Sequence, residues 1–234
     1  MTRIAKLTFF LWFLAPLLAS AQGASELNIL IFKLFGEHDN FAVDSEFQVL
    51  DPKQRKLIMT MTLGIAVSGG KMRADADMNS AKGVAITADD IRQLKATGED
   101  RVISIIRTDK NLITMIYPNK KSYTETPLPK DYSSVTKLPK FQKTPIATVT
   151  MDGHKCVKKK VVLTDDKGAK QEMITWEAED LKNFPLQVQL TDNGQEMIIH
   201  NRNIRFGKID TVHFDVPATF TKSVDTPPQK AKKK

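Results

Sequence analysis

A polar–apolar alternation with a period of two begins at Phe41, recurs along most of the chain, and limits its fold more than any other feature. Successive side chains of a strand point to opposite faces, so strict alternation marks a half-buried strand and is out of phase with a helix. Phe41, Val43, Phe47 and Val49 share one face, with Ala42, Asp44, Glu46 and Gln48 on the other. After Asp51-Pro52, the residues Leu57, Met59, Met61, Leu63, Ile65 and Val67 share a face, and Thr60, Thr62 and Gly64 lie on the reverse. Ser68-Gly69-Gly70 predicts a turn. Beyond it Met72, Ala74, Ala76 and Met78 alternate with Lys71, Arg73, Asp75 and Asp77. Successive strands with short links predict an antiparallel meander.

The rhythm breaks over residues 85–98. Thr87 followed by Asp90 predicts a helix N-terminus, Ile91 and Leu94 are spaced for one face, and Gly98 suits the end. Strands are expected again at 101–107, 112–117 and 121–125. Residues 126–145 hold four prolines and read as a long loop or lid. The second half predicts hairpins: 146–151 turning at Asp152-Gly153 into 156–164, then 173–178 after a turn at 165–168. A single helical turn is expected at 179–182. Leu186, Val188 and Leu190 then alternate with Gln187, Gln189 and Thr191, and Asp192-Asn193-Gly194 is the strongest hairpin signal in the chain. Residues 196–206 form the return strand, and 209–216 read as another. Residues 27–35 read equally as a helix or as a first strand. The fold class is therefore mainly β with a short helix, in one domain.

Residues 1–21 have the form of an export signal: Arg3 and Lys6, an apolar run from Leu7 to Leu18 broken by Pro16, and the small-residue site Ala19-Ser20-Ala21. That run is short of the roughly 20 apolar residues that span a bilayer. Gln22 follows where lipidation would need a cysteine. The expectation is a soluble mature chain, periplasmic or secreted, with a β-domain over 22–222, a disordered basic tail over 223–234, and no transmembrane segment after cleavage. The formal charge of +8 falls to about +6 without the signal. Lys155, Lys158, Lys159 and Lys160 cluster, as do Lys230, Lys232, Lys233 and Lys234. This balance suits a solvated surface, or contact with an anionic envelope surface. Cys156 is the sole cysteine, so no intramolecular disulfide forms, and its place in a strand suits a small core residue.

The usual signatures of chemistry are missing from the sequence. His38, His154, His200 and His213 are scattered without metal-ligand spacing. There is no Gly-x-Ser-x-Gly elbow and no Gly-rich phosphate loop. Asp75 and Asp77 share a strand face, but Arg73 beside them makes a charge ladder the simpler reading. Aromatics fall on apolar faces and not on basic strands, so no nucleic-acid partner is expected. No catalytic residue, metal ligand or cofactor is assigned.

What remains is an apolar face rich in methionine: Met59, Met61, Met72, Met78, Met115 and Met173. Flexible, polarizable Met suits a wall that accepts varied apolar ligands, and equally fills ordinary cores. Alternating strands, a mid-chain helix, the run Ile116-Tyr117-Pro118-Asn119-Lys120-Lys121-Ser122-Tyr123, and Thr175-Trp176 followed by Asp180 and Phe184-Pro185-Leu186 come in a telling order. In this order the chain resembles the LolA-like superfamily of periplasmic lipoprotein carriers, nearest to an exported branch of undefined function. The resemblance implies a curved antiparallel half-barrel sheet wrapping one or a few short helices around an apolar cavity for acyl chains. The candidate ligand-binding residues are Met59, Met61, Leu63, Ile105 and Met115 from alternation, and Trp176 from the resemblance. The expected role is a carrier or sensor for a lipid or other apolar ligand. The alternative is a binding module for an anionic or protein partner through the basic surface.

Overall fold

The alternating segments become strands of one sheet in a computed structural model, which describes residues 35, 38–128, 140–164, 168, 170–192 and 194–223. The export signal, most of 27–35, most of the turn at 165–168 and the tail beyond Ser223 lie outside the described residues. The first half contributes β1 (Asn40–Leu50), β2 (Leu57–Ser68), β3 (Lys71–Asp77), β4 (Lys82–Gly83), β5 (Arg101–Arg107), β6 (Leu112–Tyr117) and β7 (Ser122–Pro127). The second contributes β8 (Lys140–Met151), β9 (His154–Thr164), β10 (Lys170–Ala178), β11 (Phe184–Asp192) and β12 (Gln195–Phe206), with β13 (Thr221–Lys222) at the end.

Each half is an antiparallel meander, and β1 joins them by pairing with β2 on one side and β12 on the other. The result is an open, curved sheet in the order β13-β7-β6-β5-β3-β2-β1-β12-β11-β10-β9-β8, with β4 off the path on β2. Only β13, against β7, is parallel among the described pairs. Buried Ser45 and Asn201 mark the seam between β1 and β12: Ser45 Oγ donates to Asn201 Oδ1 at 2.6 Å, and Asn201 Nδ2 donates to the Pro185 carbonyl at 2.7 Å.

The helix expected after Thr87 is α1 (Ala88–Thr97). Thr87 Oγ1 accepts from the Asp90 amide while the Asp90 carboxylate accepts from the Thr87 amide, so orphan donors at the helix start are satisfied reciprocally. Gly98 ends it at φ 69°, a left-handed conformation that costs glycine little. Leu94 is buried and Ile91 packs beside it against the large apolar cluster of β1, β2 and β12. The sheet face under α1 is called inner here, and the reverse face outer.

Two expectations need correction. Residues 126–145 are not one long loop: β7 runs to Pro127, and β8 starts at Lys140 and passes through Pro145. An edge strand tolerates proline because the missing N–H would have faced away from the ladder, and the register shifts at Pro145. Residues 209–216 are not a strand. They hold a short 3-10 turn, Thr211–Phe214, capped by the Asp210 side chain, and lie across the outer face.

Candidate functional site

Register determines which side chains share the inner face, because a one-residue slip would invert it. Val161, Met173, Leu190, Met197, Val49 and Met59 are successive partners from β9 to β2. The next row runs Thr175, Val188, Ile199, Phe47 and Met61. A third runs Asn201, Ser45, Leu63, Ala76 and Val102, and a fourth Val43, Ile65, Ala74, Ser104, Met115 and Thr124. The rows make one mostly apolar surface that crosses both meanders, with Thr175, Asn201, Ser45, Ser104 and Thr124 as its polar members. Phe35 stacks on Phe184 with ring centroids 5.2 Å apart, and Phe184 meets Phe41 edge-on at 5.1 Å.

Met59, Met61 and Leu63 stand side by side on β2, all buried, and Met115 lies on the same face, separated from β2 by β3 and β5. Ile105 and Trp176 do not join them. Ile105 pairs with Arg73 and Thr114 on the outer face, where Ala66, Ile103, Ile116 and Phe214 enclose it. Trp176 pairs with Lys158 and Gln187 on the outer face and packs with Cys156, Ala178 and Leu186, while Lys158 Nζ lies 4.9 Å from its ring centre. Apolar residues fill both parities of Val102–Ile106, so alternation alone cannot assign Ile105 a side. Trp176 is the even neighbour of Thr175 and Glu177, which turn inward.

That inward turn places an ionic group on the inner face that the sequence hides. The Glu177 side chain is 4 % exposed; Lys159 Nζ reaches it at 2.6 Å and Lys143 Nζ at 3.2 Å. Thr175 Oγ1 donates to the same carboxylate at 3.1 Å. In the sequence Lys159 is lost among neighbouring lysines of both parities, and no motif signals its role. The rest of that lysine cluster is not a free basic patch. Lys155 pairs with Glu179 and Lys160 with Glu172, each at 2.9 Å, and Lys158 covers Trp176.

Little of this geometry offers bond-making chemistry. Cys156 is fully buried, and burial, with Asp180 and Asp152 nearby, pushes its thiol above the ordinary range, away from the reactive thiolate. His154 Nδ1 meets Asp180 at 2.7 Å and His200 Nε2 meets Asp152 at 2.6 Å; both pairs tie down the β8–β9 turn. Asp152 and Gly153 at that turn have φ of 50° and 83°, as a tight hairpin requires. Arg73 grips Asp75 in a bidentate pair at 2.7 and 2.8 Å, the charge ladder read from the sequence. Among the described residues no group of His, Cys, Asp and Glu could hold a metal ion, and no helix is long and apolar enough to cross a membrane.

No family model and no curated protein matches the chain. Among solved structures it is similar to a LolA superfamily protein from Nitrosomonas europaea, at 8% identity and TM-score 0.35 over 84% of this chain and 98% of that one. It is also similar to LprF from Mycobacterium bovis, at 12% identity and TM-score 0.42 over 86% of this chain and 100% of that one. The lipoprotein LppX from Mycobacterium tuberculosis matches at 8% identity and TM-score 0.37, over 78% of this chain and 96% of that one. An open antiparallel sheet around a short helix is the architecture that the LolA-like resemblance implies. Identities and TM-scores this low transfer no residue or activity.

Proposed function

We propose that this chain binds a lipid or other apolar, chain-like molecule on the inner face of its sheet, as a carrier or sensor and not as an enzyme. The observation that carries this reading is the continuity of the inner face: the first row of apolar side chains passes without a break from β9 through the seam to β2, and the second runs beside it from Val188 to Met61. Met59, Met61, Met173 and Met197 lie in those rows, and unbranched side chains adapt to a flexible acyl chain better than branched ones do. The polar groups on that face, Thr175 with Glu177, Ser45 with Asn201, Ser104 and Thr124, all lie outside the first row, so the stretch from Val161 to Met59 stays wholly apolar. The test is native mass spectrometry of protein purified without detergent, with added mass identified as lipid, followed by titration with a pyrene-labelled acyl chain. Protein that arrives lipid-free and takes up no probe removes the reading.

Export belongs to the same proposal. Cleavage after Ala21 would deliver the chain to the cell envelope, and intact-mass measurement of exported protein should give an N-terminus at Gln22. Material that keeps Met1 refutes it. The alternative, docking on an anionic surface through the lysines of β9, draws less support, because Lys155, Lys159 and Lys160 already face carboxylates.

A further inference from the structure

The fourth row of the inner face contains a hydroxyl with nothing to bond. Ser104 sits mid-strand on β5 between its partners Ala74 and Met115, and is 2 % exposed. Its Oγ is the one buried side-chain polar atom without a hydrogen-bond partner among the described residues. Elsewhere on the inner face, Ser45 bonds Asn201 and Thr175 bonds Glu177. Leaving a buried hydroxyl unpaired is unfavourable, and alanine, already present at Ala74 beside it, would avoid the penalty. A buried water is a poor remedy, because it needs two or more polar anchors. The flanking Val102 and Ile106 along the strand and Met115 across it offer none.

A ligand oxygen carried on an apolar chain needs only one such bond. We propose that Ser104 donates its hydrogen bond to the carbonyl oxygen of a bound acyl ester, which makes the ligand an esterified lipid and not a plain hydrocarbon. A neutral carbonyl fits better than a free carboxylate, because the charged side chains of β3 and β5, Lys71, Arg73, Arg101 and Arg107, alternate onto the outer face. The inference rests on the inner-face binding proposed above.

Two probes with the same ring and chain length separate the questions: a pyrene-labelled dodecanoate methyl ester and the matching dodecylpyrene. Wild-type protein should bind the ester about fivefold more tightly, the worth of one net hydrogen bond. Ser104→Ala should lose that preference and melt no lower than wild type when unliganded. Ser104→Thr, which keeps the hydroxyl, should retain the preference. Equal wild-type affinities, a preference that survives Ser104→Ala, or a lower melting temperature of unliganded Ser104→Ala would each overturn the role of Ser104. A wild-type protein that binds neither probe would instead refute inner-face binding itself, and this inference with it.

Discussion

Met61 stands in the second row opposite Phe47, 3 % exposed, while its neighbour Thr62 faces outward and is exposed. A lysine in place of Met61 would put an unpaired charge against apolar side chains, whereas a lysine at Thr62 would stay in water. Met61→Lys should therefore abolish uptake of a pyrene-labelled acyl chain with the β-sheet circular dichroism retained, and Thr62→Lys should change neither. Loss of the sheet signal in Met61→Lys would make Met61 ordinary core. The Glu177 carboxylate argues the reverse case, a charge that belongs on the inner face because Lys159 and Lys143 accompany it. Glu177→Ala strands those cations and should cost about 3 kcal/mol in urea unfolding, while Glu177→Leu with Lys159→Met should recover most of the loss. A single variant as stable as wild type would show the cluster to be a surface pair. At this scale the sequence told the side of a residue wherever its strand alternates, as at Met59, Met61 and Leu63. It could not do so for Ile105, in a strand apolar on both faces, or for Glu177 and Lys159, whose polarity argued for solvent.

The segment after β12 shows how an element can change class without a change in its apolar residues. Ile209, Phe214, Val216 and Phe220 pack on Ile103, Ile105 and Ile116 of the outer face, and the spacing of Phe214 and Val216 resembles alternation when read along the chain. Residues 209–216 pair with no described strand, and the backbone closes a local turn with Asp210 as its cap. Arg107 clamps it: its guanidinium is bidentate to Asp109 at 2.9 and 2.8 Å and reaches Asp215 at 2.6 Å. The hydrogen bond from Arg107 holds the Asp109 carboxyl down at about 2. Its folded value lies below the ordinary one, so the stability it contributes is complete above about pH 4 and is lost as pH falls toward about 2. Thermal melts of wild type and Asp109→Asn should differ at neutral pH and converge over that window; a constant difference would mean that Asp109 does not titrate with folding. The helix after Thr87 was legible throughout, because its cap, its apolar spacing and Gly98 are all local signals.

Over the whole molecule, the decisive contact is the pairing of β1 with β12, which turns two local meanders into one sheet. Ser45 and Asn201 meet there across a separation of 156 residues. Closing so long a loop before its contacts form is entropically slow, so refolding should take roughly milliseconds to seconds and not microseconds. Trp176, the sole tryptophan beyond Trp12, reports it by stopped-flow fluorescence. A microsecond phase that carries the full amplitude would refute the seam as the late step. The sequence by itself determined the mainly β class, the hairpin turns at Gly70, Gly153 and Gly194, the helix, and which face of β1 to β3 is apolar. All of these depend on periods and turn chemistry within a few residues. Tertiary structure alone decided that β1 joins the halves, that Ile105 and Trp176 face outward, and that Glu177 and the unpaired Ser104 look inward. Each of those depends on the register between strands far apart in the chain, and shifting a register by one residue inverts the face without altering any local pattern.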